Sequence, residues 1–300
     1  MTMWFILARA IHIGACLLFF GVFAFDRFVA ATLFTENHFE AASYWKSRVK
    51  VFSWFLLPII LLSGLAWFAL AAAIMSGEPL QAEILKTVWG QTQFGAAWQA
   101  HLFFWVAASV VAVLFRSLQF QTWLQLFFSG ALLGSLAWAG HGLEGSRWHL
   151  FADVLHLLTA GVWPAGLLPF FLLLRRLRQV QETTSSFLIV ALVRRFSASS
   201  LAAVSVLVVT GWINGWFLAG SFSNLWAQSY GRFLLLKIAL FILTVVLGAV
   251  NLLRLKPRLA AENSEKAAAQ MQLNVQAELF LGVAVVVVVA ILGILPPANR

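Results

Sequence analysis

The hydrophobic positions of this chain fall into eight long runs, which short polar links separate. The runs cover residues 4–25, 51–75, 98–115, 123–140, 149–174, 196–219, 232–253 and 278–295. A helix rises about 1.5 Å per residue, so a run of about 20 residues crosses a hydrocarbon core of roughly 30 Å. The pattern predicts an all-α fold: a polytopic membrane helix bundle with about eight transmembrane helices, in a single integral membrane domain over residues 1–300. The third and fourth runs are the shortest, and a re-entrant pair is the alternative to two full spans there.

Basic side chains are concentrated in alternate links. Most of the 20 Lys and Arg residues lie in the links after the first, third, fifth and seventh runs, whereas the opposite side holds Lys86, Arg147 and Arg300. Cytoplasmic links carry the excess of Lys and Arg in membrane proteins. The bias therefore predicts that both termini lie outside, on the periplasmic side, which agrees with an even number of spans.

The composition narrows the class of protein. The chain is 62% hydrophobic and 10% charged, whereas a soluble domain carries about 25% charged residues. A net charge of +9 would suggest nucleic acid as the partner of a soluble protein. Here the basic links favour contact with membrane lipids instead, and no nucleic acid is expected. The sequence holds no Walker A or nucleophile-elbow motif, so we expect neither ATP-driven transport nor an enzyme.

The predicted topology gathers five of the six histidines in the outer half of the membrane. Polar residues at that depth are costly and are functional by default. His149, Asp153 and His156 are spaced i, i+4, i+7 and so share one helix face, and Cys16 follows His12 by one turn. The candidate metal ligands are His12, His101, His141, His149, His156, Glu144, Asp153, Cys16 and Met75.

The residue types do not assign one metal to this group. Imidazole suits copper, zinc and iron, whereas Cys and Met favour Cu(I), and the two carboxylates would orient ligands or bind a harder ion. A haem or a proton path is an alternative, and so is a polar seam that neighbouring helices satisfy. Arg232 and Lys237 either extend to the membrane surface or supply a counter-charge for Asp153 or Glu144.

Short motifs in the second half of the chain occur in a characteristic order. They are Arg195-Phe196-Ser197, Thr210-Gly211-Trp212-Ile213-Asn214, Tyr230-Gly231-Arg232 continuing to Lys237, Gly248-Ala249-Val250-Asn251, and Pro257. The fifth run adds His156, then Trp163-Pro164-Ala165-Gly166-Leu167, and Gly140-His141-Gly142 precedes it. This order resembles the copper resistance D (CopD) family, over residues 135–258 and most closely over 190–258. Pro164-Ala165 departs from that family's pattern.

The resemblance implies a bacterial inner-membrane protein that handles copper ions together with a periplasmic copper-binding protein. It predicts a permease that imports copper and contributes to copper homeostasis or resistance, with the outer histidines as its metal site. Two alternatives remain open: an electron-transfer protein whose histidines bind haem b, and a structural subunit that docks a periplasmic copper-binding partner.

Overall fold

The structure is a computed structural model that describes residues 2–34, 40–114, 120–139, 147–179, 185–219, 221–259 and 264–296. These residues form eight long helices and two short ones. The long helices are α1 (Thr2–Leu33), α2 (Glu40–Ser76), α4 (Gln93–Leu114), α5 (Gln121–Ala139), α6 (Arg147–Gln179), α7 (Ser186–Leu218), α9 (Ser229–Arg258) and α10 (Ser264–Leu292). The short helices are α3 (Ala82–Gln91) and α8 (Phe222–Ala227).

All eight long helices are long and apolar enough to cross a membrane. This confirms the predicted all-helical fold and the count of eight candidate spans. The predicted outside location of both termini stays a prediction.

Two helices extend well beyond the apolar runs that predicted them. Helix α2 begins at Glu40 and α10 begins at Ser264, although the hydrophobic runs begin at residues 51 and 278. Hydropathy detects the part of a helix that suits lipid and misses its polar continuation. Consequently Glu278, which marked the start of the last run, lies in the interior of α10.

Three of the long helices carry local interruptions. Helix α6 has a turn over residues 163–166, where Pro164 lacks the N–H group that a continuous helix needs. Helices α1 and α9 each contain a π-helical turn, at Asp26–Ala30 and Asn251–Leu255. The second of these turns lies just before Pro257, whose ring would clash with the carbonyl group four residues earlier in a regular helix.

Helix α1 lies in the middle of the bundle, where it packs against α2, α5, α6 and α10. Two large apolar clusters divide the interior along its length. One cluster joins the first part of α1 to α2, α4 and α5; we call this the histidine end, because His12 and His101 lie there. The other joins Phe25 and Val29 to the ends of α6, α9 and the start of α10. We call it the basic end, because Arg176 and Arg178 lie there.

Large apolar side chains also cover the outer surface of the bundle. Phe127 is 65% exposed and Phe280 is 78% exposed, and both lie on candidate spans. In a membrane such side chains face lipid tails, which are as apolar as they are. The chain is therefore a multi-pass membrane protein with apolar side chains on both its inner and outer faces.

Candidate metal centre

Three buried side chains from two helices meet at the histidine end. His12 and Cys16 lie one turn apart on α1, and His101 approaches from α4. The Nε2 atoms of His12 and His101 are 3.1 Å apart, and the Cys16 Sγ atom is 3.7 Å from His12 Nε2. One ligand atom from each residue lies within 4.8 Å of the other two. Within the described residues, this is the group of His, Cys, Asp and Glu side chains whose ligand atoms lie close enough together to hold a metal ion.

The imidazole of His12 is fixed by helix α2. Its Nδ1 atom is 3.0 Å from the carbonyl oxygen of Ile60 and 3.1 Å from the hydroxyl oxygen of Ser63. The Ser63 hydroxyl itself donates to the carbonyl oxygen of Ile59. A carbonyl oxygen can only accept, so Nδ1 carries the proton and Nε2 presents its lone pair to the centre.

The imidazole of His101 is fixed by the end of α5. Its Nδ1 atom is 2.8 Å from the Ser135 hydroxyl oxygen, and that hydroxyl donates to the carbonyl oxygen of Leu132 at 2.8 Å. When the Ser135 proton points to Leu132, the serine oxygen accepts the Nδ1 proton of His101. In that arrangement His101 Nε2 also presents a lone pair, so the hydroxyl group sets the tautomer of the ring.

Two lone pairs then face each other across 3.1 Å. That arrangement is repulsive unless a cation lies between or beside the two nitrogens. Without a metal, the repulsion is removed when Ser135 turns its proton toward His101 and His101 Nε2 donates to His12. The serine hydroxyl can therefore switch the pair between a hydrogen-bonded state and a state with two ligand nitrogens.

The separations suit a small ion with nitrogen and sulfur ligands. Imidazole nitrogens that bind one tetrahedral ion at about 2.0–2.1 Å lie about 3.3 Å apart, and a thiolate at about 2.3 Å lies about 3.6 Å from each of them. The observed distances of 3.1 Å and 3.7 Å are close to these values. Imidazole with thiolate is a donor set that suits soft or borderline ions such as copper.

Aromatic side chains enclose the centre. The rings of Trp67 and Trp98 lie 5.5 Å and 5.4 Å from the His12 ring, and His12 is fully buried. Gly64 keeps α2 close to this layer: a Cβ atom there would lie 2.9 Å from His12 Cε1 and 3.1 Å from Trp98 Cζ3. The centre is therefore tightly packed and screened from water.

The other predicted ligands lie apart from this group. His149 is buried on α6, with its ring 4.9 Å from that of Phe217 on α7. Met75 is 56% exposed and lies eleven residues beyond Gly64 on α2, which is about 16 Å along a helix. His141 and Glu144 lie outside the described residues.

Asp153 and His156 belong to a second polar group, between α6 and α7. His156 Nδ1 is 3.0 Å from the Thr210 hydroxyl oxygen, and Asn214 Nδ2 donates to Asp153 Oδ1 at 3.2 Å. Asp153 also interacts electrostatically with two cations, Arg9 of α1 and Lys237 of α9. Of the two cations predicted as a counter-charge, Lys237 thus interacts with Asp153, whereas Arg232 donates to the carbonyl oxygens of Trp226 and Ala227.

Sequence reasoning missed the residues that position the rings. Ser63, Gly64 and Ser135 belong to ordinary apolar stretches, and small residues are common at helix contacts in membranes. The available signal was weak: a Ser-Gly pair followed three residues later by Trp67, in a span with few other polar residues. The pairing of His12 with His101, 89 residues away, has no signature in local spacing.

Two parts of the chain match known protein families. Residues 190–292 match the family described as copper resistance protein D, and residues 1–149 match the copper resistance protein D-like N-terminal domain. The candidate metal ligands His12, Cys16 and His101 lie in the second match, whereas the motifs that first indicated the resemblance lie mainly in the other half.

Curated relatives agree with these matches. Copper resistance protein D of Pseudomonas syringae pv. tomato is 34% identical over 79% of this chain and 80% of its own length. Copper transport protein CutJ of Bacillus subtilis (strain 168) is 32% identical over 73% of this chain, but the matched part is 40% of that longer protein. Inner membrane protein YebZ of Escherichia coli (strain K12) is 26% identical over 96% of this chain and 97% of its own length. No solved structure matches the chain.

Proposed function

The chain belongs to the copper resistance protein D family, as its motifs predicted, and we propose that it is a copper permease whose cargo binds to His12, Cys16 and His101. We propose the direction as import, from the periplasmic side toward the cytoplasm. The observation that carries the proposal is the buried group of two imidazoles and one thiol inside a membrane bundle of this family.

The chemistry of the group supports copper as the cargo. Thiolate and imidazole bind Cu(I) well, and a metal ion that loses its water shell in the membrane needs such ligands in exchange. The aromatic side chains around the group are tightly packed, so they favour transient binding of one ion rather than passage through an open channel. The hydroxyl of Ser135 gives the empty state a stable hydrogen-bonded form. The lone pairs of His12 Nε2 and His101 Nε2 therefore do not face each other before copper binds or after it leaves.

The other predicted ligands are proposed as an earlier stage of the route. His141, His149 and His156, with Glu144 and Asp153, would receive copper from a periplasmic copper-binding protein, and Met75 would extend this group. Their position near the predicted outer ends of the spans supports the proposal. Membrane lipids would be the other partner, through the basic links.

Haem b remains the alternative ligand of the histidines, but His12 and His101 do not suit it as an axial pair. A porphyrin ring would have to lie between their Nε2 atoms, which are in hydrogen-bond contact. The third possibility, a subunit that docks a partner through packed histidines, predicts that the chain binds no metal.

Metal analysis of the purified protein separates these functions. We would load the detergent-purified chain with Cu(I), remove excess ion, and measure copper and iron by elemental mass spectrometry. The permease predicts near-stoichiometric copper, and Cu(I) uptake by proteoliposomes that contain the protein. Stoichiometric iron with a Soret absorption band would establish the haem alternative instead, and absence of both metals would leave the docking subunit.

Cys16→Ala provides the matching variant. Cys16 is a small buried side chain, and alanine preserves most of its packing. We expect the variant to fold and to bind Cu(I) more weakly. The control is Ser129→Ala on α5, which removes one polar atom from another fully buried position, where the hydroxyl bonds its own helix. Equal copper retention by the two variants would contradict a role for the thiol.

A further inference from the structure

A buried acidic side chain lies on helix α10, on the part of the bundle that leads to the basic end. Glu278 is 1% exposed and lies in the interior of a candidate membrane span. The proposed copper site does not involve Glu278, because its ligands lie on α1 and α4. An ionised carboxylate enclosed in this way is costly unless a cation accompanies it.

A chain of amide side chains connects Glu278 to the protein surface. Gln270 Nε2 donates to Asn274 Oδ1 at 3.1 Å, Asn274 Nδ2 donates to Asn251 Oδ1 at 2.9 Å, and Asn251 Nδ2 donates to Glu278 Oε1 at 2.7 Å. Gln270, Asn274 and Glu278 are spaced by four residues, so they follow one face of α10. Exposure falls along the chain, from exposed Gln270 through half-buried amides to the buried carboxyl group.

The backbone of α9 is distorted at Asn251, where the row of amide side chains reaches that helix. Asn251 opens the π-helical turn Asn251–Leu255. Such turns occur often at functional sites, because the widened turn re-aims a side chain. Here the turn accommodates Pro257, and the Asn251 side chain at its start donates to Glu278 Oε1.

A cavity of about 140 Å³ adjoins the carboxyl group. Its polar lining comes from Ser197 and Ser200 of α7 and Asn251 of α9, and Met271 and Glu278 of α10 complete that side. The Ser200 hydroxyl is buried and has no hydrogen-bond partner within the described residues. The volume is sufficient for several water molecules, each of which needs about 10–15 Å³ on this measure.

No cationic side chain among the described residues lines this cavity. The charged groups of the surrounding helices lie elsewhere. On α1, Arg9 bonds Gly293, Asp26 bonds Trp45 and Arg27 stacks on Trp123. On α6, Arg176 bonds Glu40 and Arg178 bonds Gln272, while Arg175 is exposed.

The charged side chains of α7, α9 and α10 also lie away from the cavity. On α7, Arg195 lies outside the lining and Arg194 is exposed. On α9, Arg254 is exposed and Lys237 interacts with Asp153. On α10, Glu265 and Lys266 are exposed.

We propose that Glu278 is a proton-binding site, reached from the basic end through the adjoining cavity while the amide chain holds the carboxyl group in place, and that its proton is exchanged with water there as copper moves through the bundle. The second half rests on the proposed permease function. A proton fits better than a metal ion, because one carboxylate, amide N–H groups and a single thioether are a poor ligand set for copper. A hard ion such as Na⁺ needs several oxygen ligands, whereas Asn251 presents its NH₂ group.

The carboxyl proton can be observed directly by infrared difference spectroscopy. We would record spectra of the whole protein in lipid nanodiscs during a pH titration and follow the C=O band of protonated carboxyl groups. The titrating band is expected in the wild type, lost in Glu278→Gln, and retained but shifted in Glu278→Asp, which keeps a carboxyl group. Glu265→Gln, an exposed position on the same helix, is the matched control and should keep the band. An unchanged band in Glu278→Gln would overturn the proposal.

Copper uptake by proteoliposomes tests the coupling. The wild type should show uptake that depends on the pH at the basic end, and Glu278→Gln should lose that dependence while its Cu(I) content after loading stays as in the wild type. If no variant transports copper but the band follows Glu278, the permease fails and the proton site stands. If copper uptake in Glu278→Gln keeps the wild-type pH dependence, the coupling is wrong although the permease stands.

Discussion

The two groups of histidines in this bundle differ in how their side chains come together. His12 and His101 approach from different helices, and their Nε2 atoms face each other at 3.1 Å. His149 and His156 share one face of α6, yet each contacts α7 separately, through Phe217 and Thr210. Spacing along one helix indicates which residues share a face, whereas ligand atoms converge when neighbouring helices supply them.

The groups also differ in charge. The described groups in contact with the first group are hydroxyl, carbonyl and aromatic groups, and the cation Arg9 lies behind one of them, over the Trp67 ring. In the second group, the negative charge of Asp153 interacts with the positive charges of Arg9 and Lys237. Positive charge close to His156 opposes a metal ion there. The second group is therefore more suitable for ion pairing or, in the proposed permease, for brief contact with copper.

The largest effect is expected from two double substitutions, one in each group of histidines. His12→Ala with His101→Ala removes both converging nitrogens, so we expect the loss of tightly bound Cu(I). His149→Ala with His156→Ala should leave that ion in place and slow its uptake, if those residues serve an earlier stage. Copper content after loading and uptake by proteoliposomes provide the two measurements. Loss of bound copper in the second variant alone would reverse the comparison.

The next effect concerns the hydroxyl that sets the tautomer of His101. Ser135→Ala removes the acceptor for the Nδ1 proton, and loss of such an outer hydrogen bond typically lowers metal affinity about 10–100-fold. Competition with a Cu(I) chelator measures the affinity. Ser109→Ala is the control, because its hydroxyl bonds the carbonyl oxygen of Trp105 on its own helix. An equal decrease in both variants would argue against the tautomer mechanism.

A smaller effect is expected from the close approach of α2. Gly64→Ala places a methyl group 2.9 Å from His12 Cε1, and overpacking of this kind costs about 1–3 kcal/mol. The apparent melting temperature, followed by tryptophan fluorescence, should fall together with copper affinity. Gly282→Ala on α10, where a Cβ atom meets open space, should change neither quantity. A stable Gly64→Ala protein with normal affinity would mean that the His12 layer is loosely packed.

The smallest effect concerns the charged group. Asp153→Asn keeps a hydrogen-bonding side chain for Asn214 but removes the negative charge that faces Arg9 and Lys237. Because Asp153 lies in the second turn of α6, near the predicted outer end of the span where water screens its charge, we expect a stability loss of about 1 kcal/mol or less and unchanged Cu(I) affinity at His12. Thermal unfolding and chelator competition measure the two quantities. A large loss of copper affinity would show that the two groups form one site.

The helix count was predictable because lipid requires long apolar runs, and the structure has eight such helices. The polar starts of α2 and α10 could not be read from hydropathy, so the interior position of Glu278 was not expected. The one-turn spacing of His12 and Cys16 was visible in the sequence. The contribution of His101 depends on how α4 packs against α1. The contacts of Ser63 and Ser135, which orient the two rings, depend likewise on how α2 and α5 pack in the bundle. No local pattern encodes that packing.

The contact between Arg9 and Gly293 also has a consequence for the order in which the protein is made. Helix α1 leaves the ribosome well before α10, and the Arg9 guanidinium donates to the carbonyl oxygen of Gly293, one residue beyond the end of α10. The ring of Trp67, 4.9 Å away on the second helix, is available to that cation much earlier. Arg9 thus has an early aromatic neighbour and receives its carbonyl partner only after α10 has been made. A chain interrupted before α10 would therefore keep an arginine inside a membrane helix without that carbonyl partner.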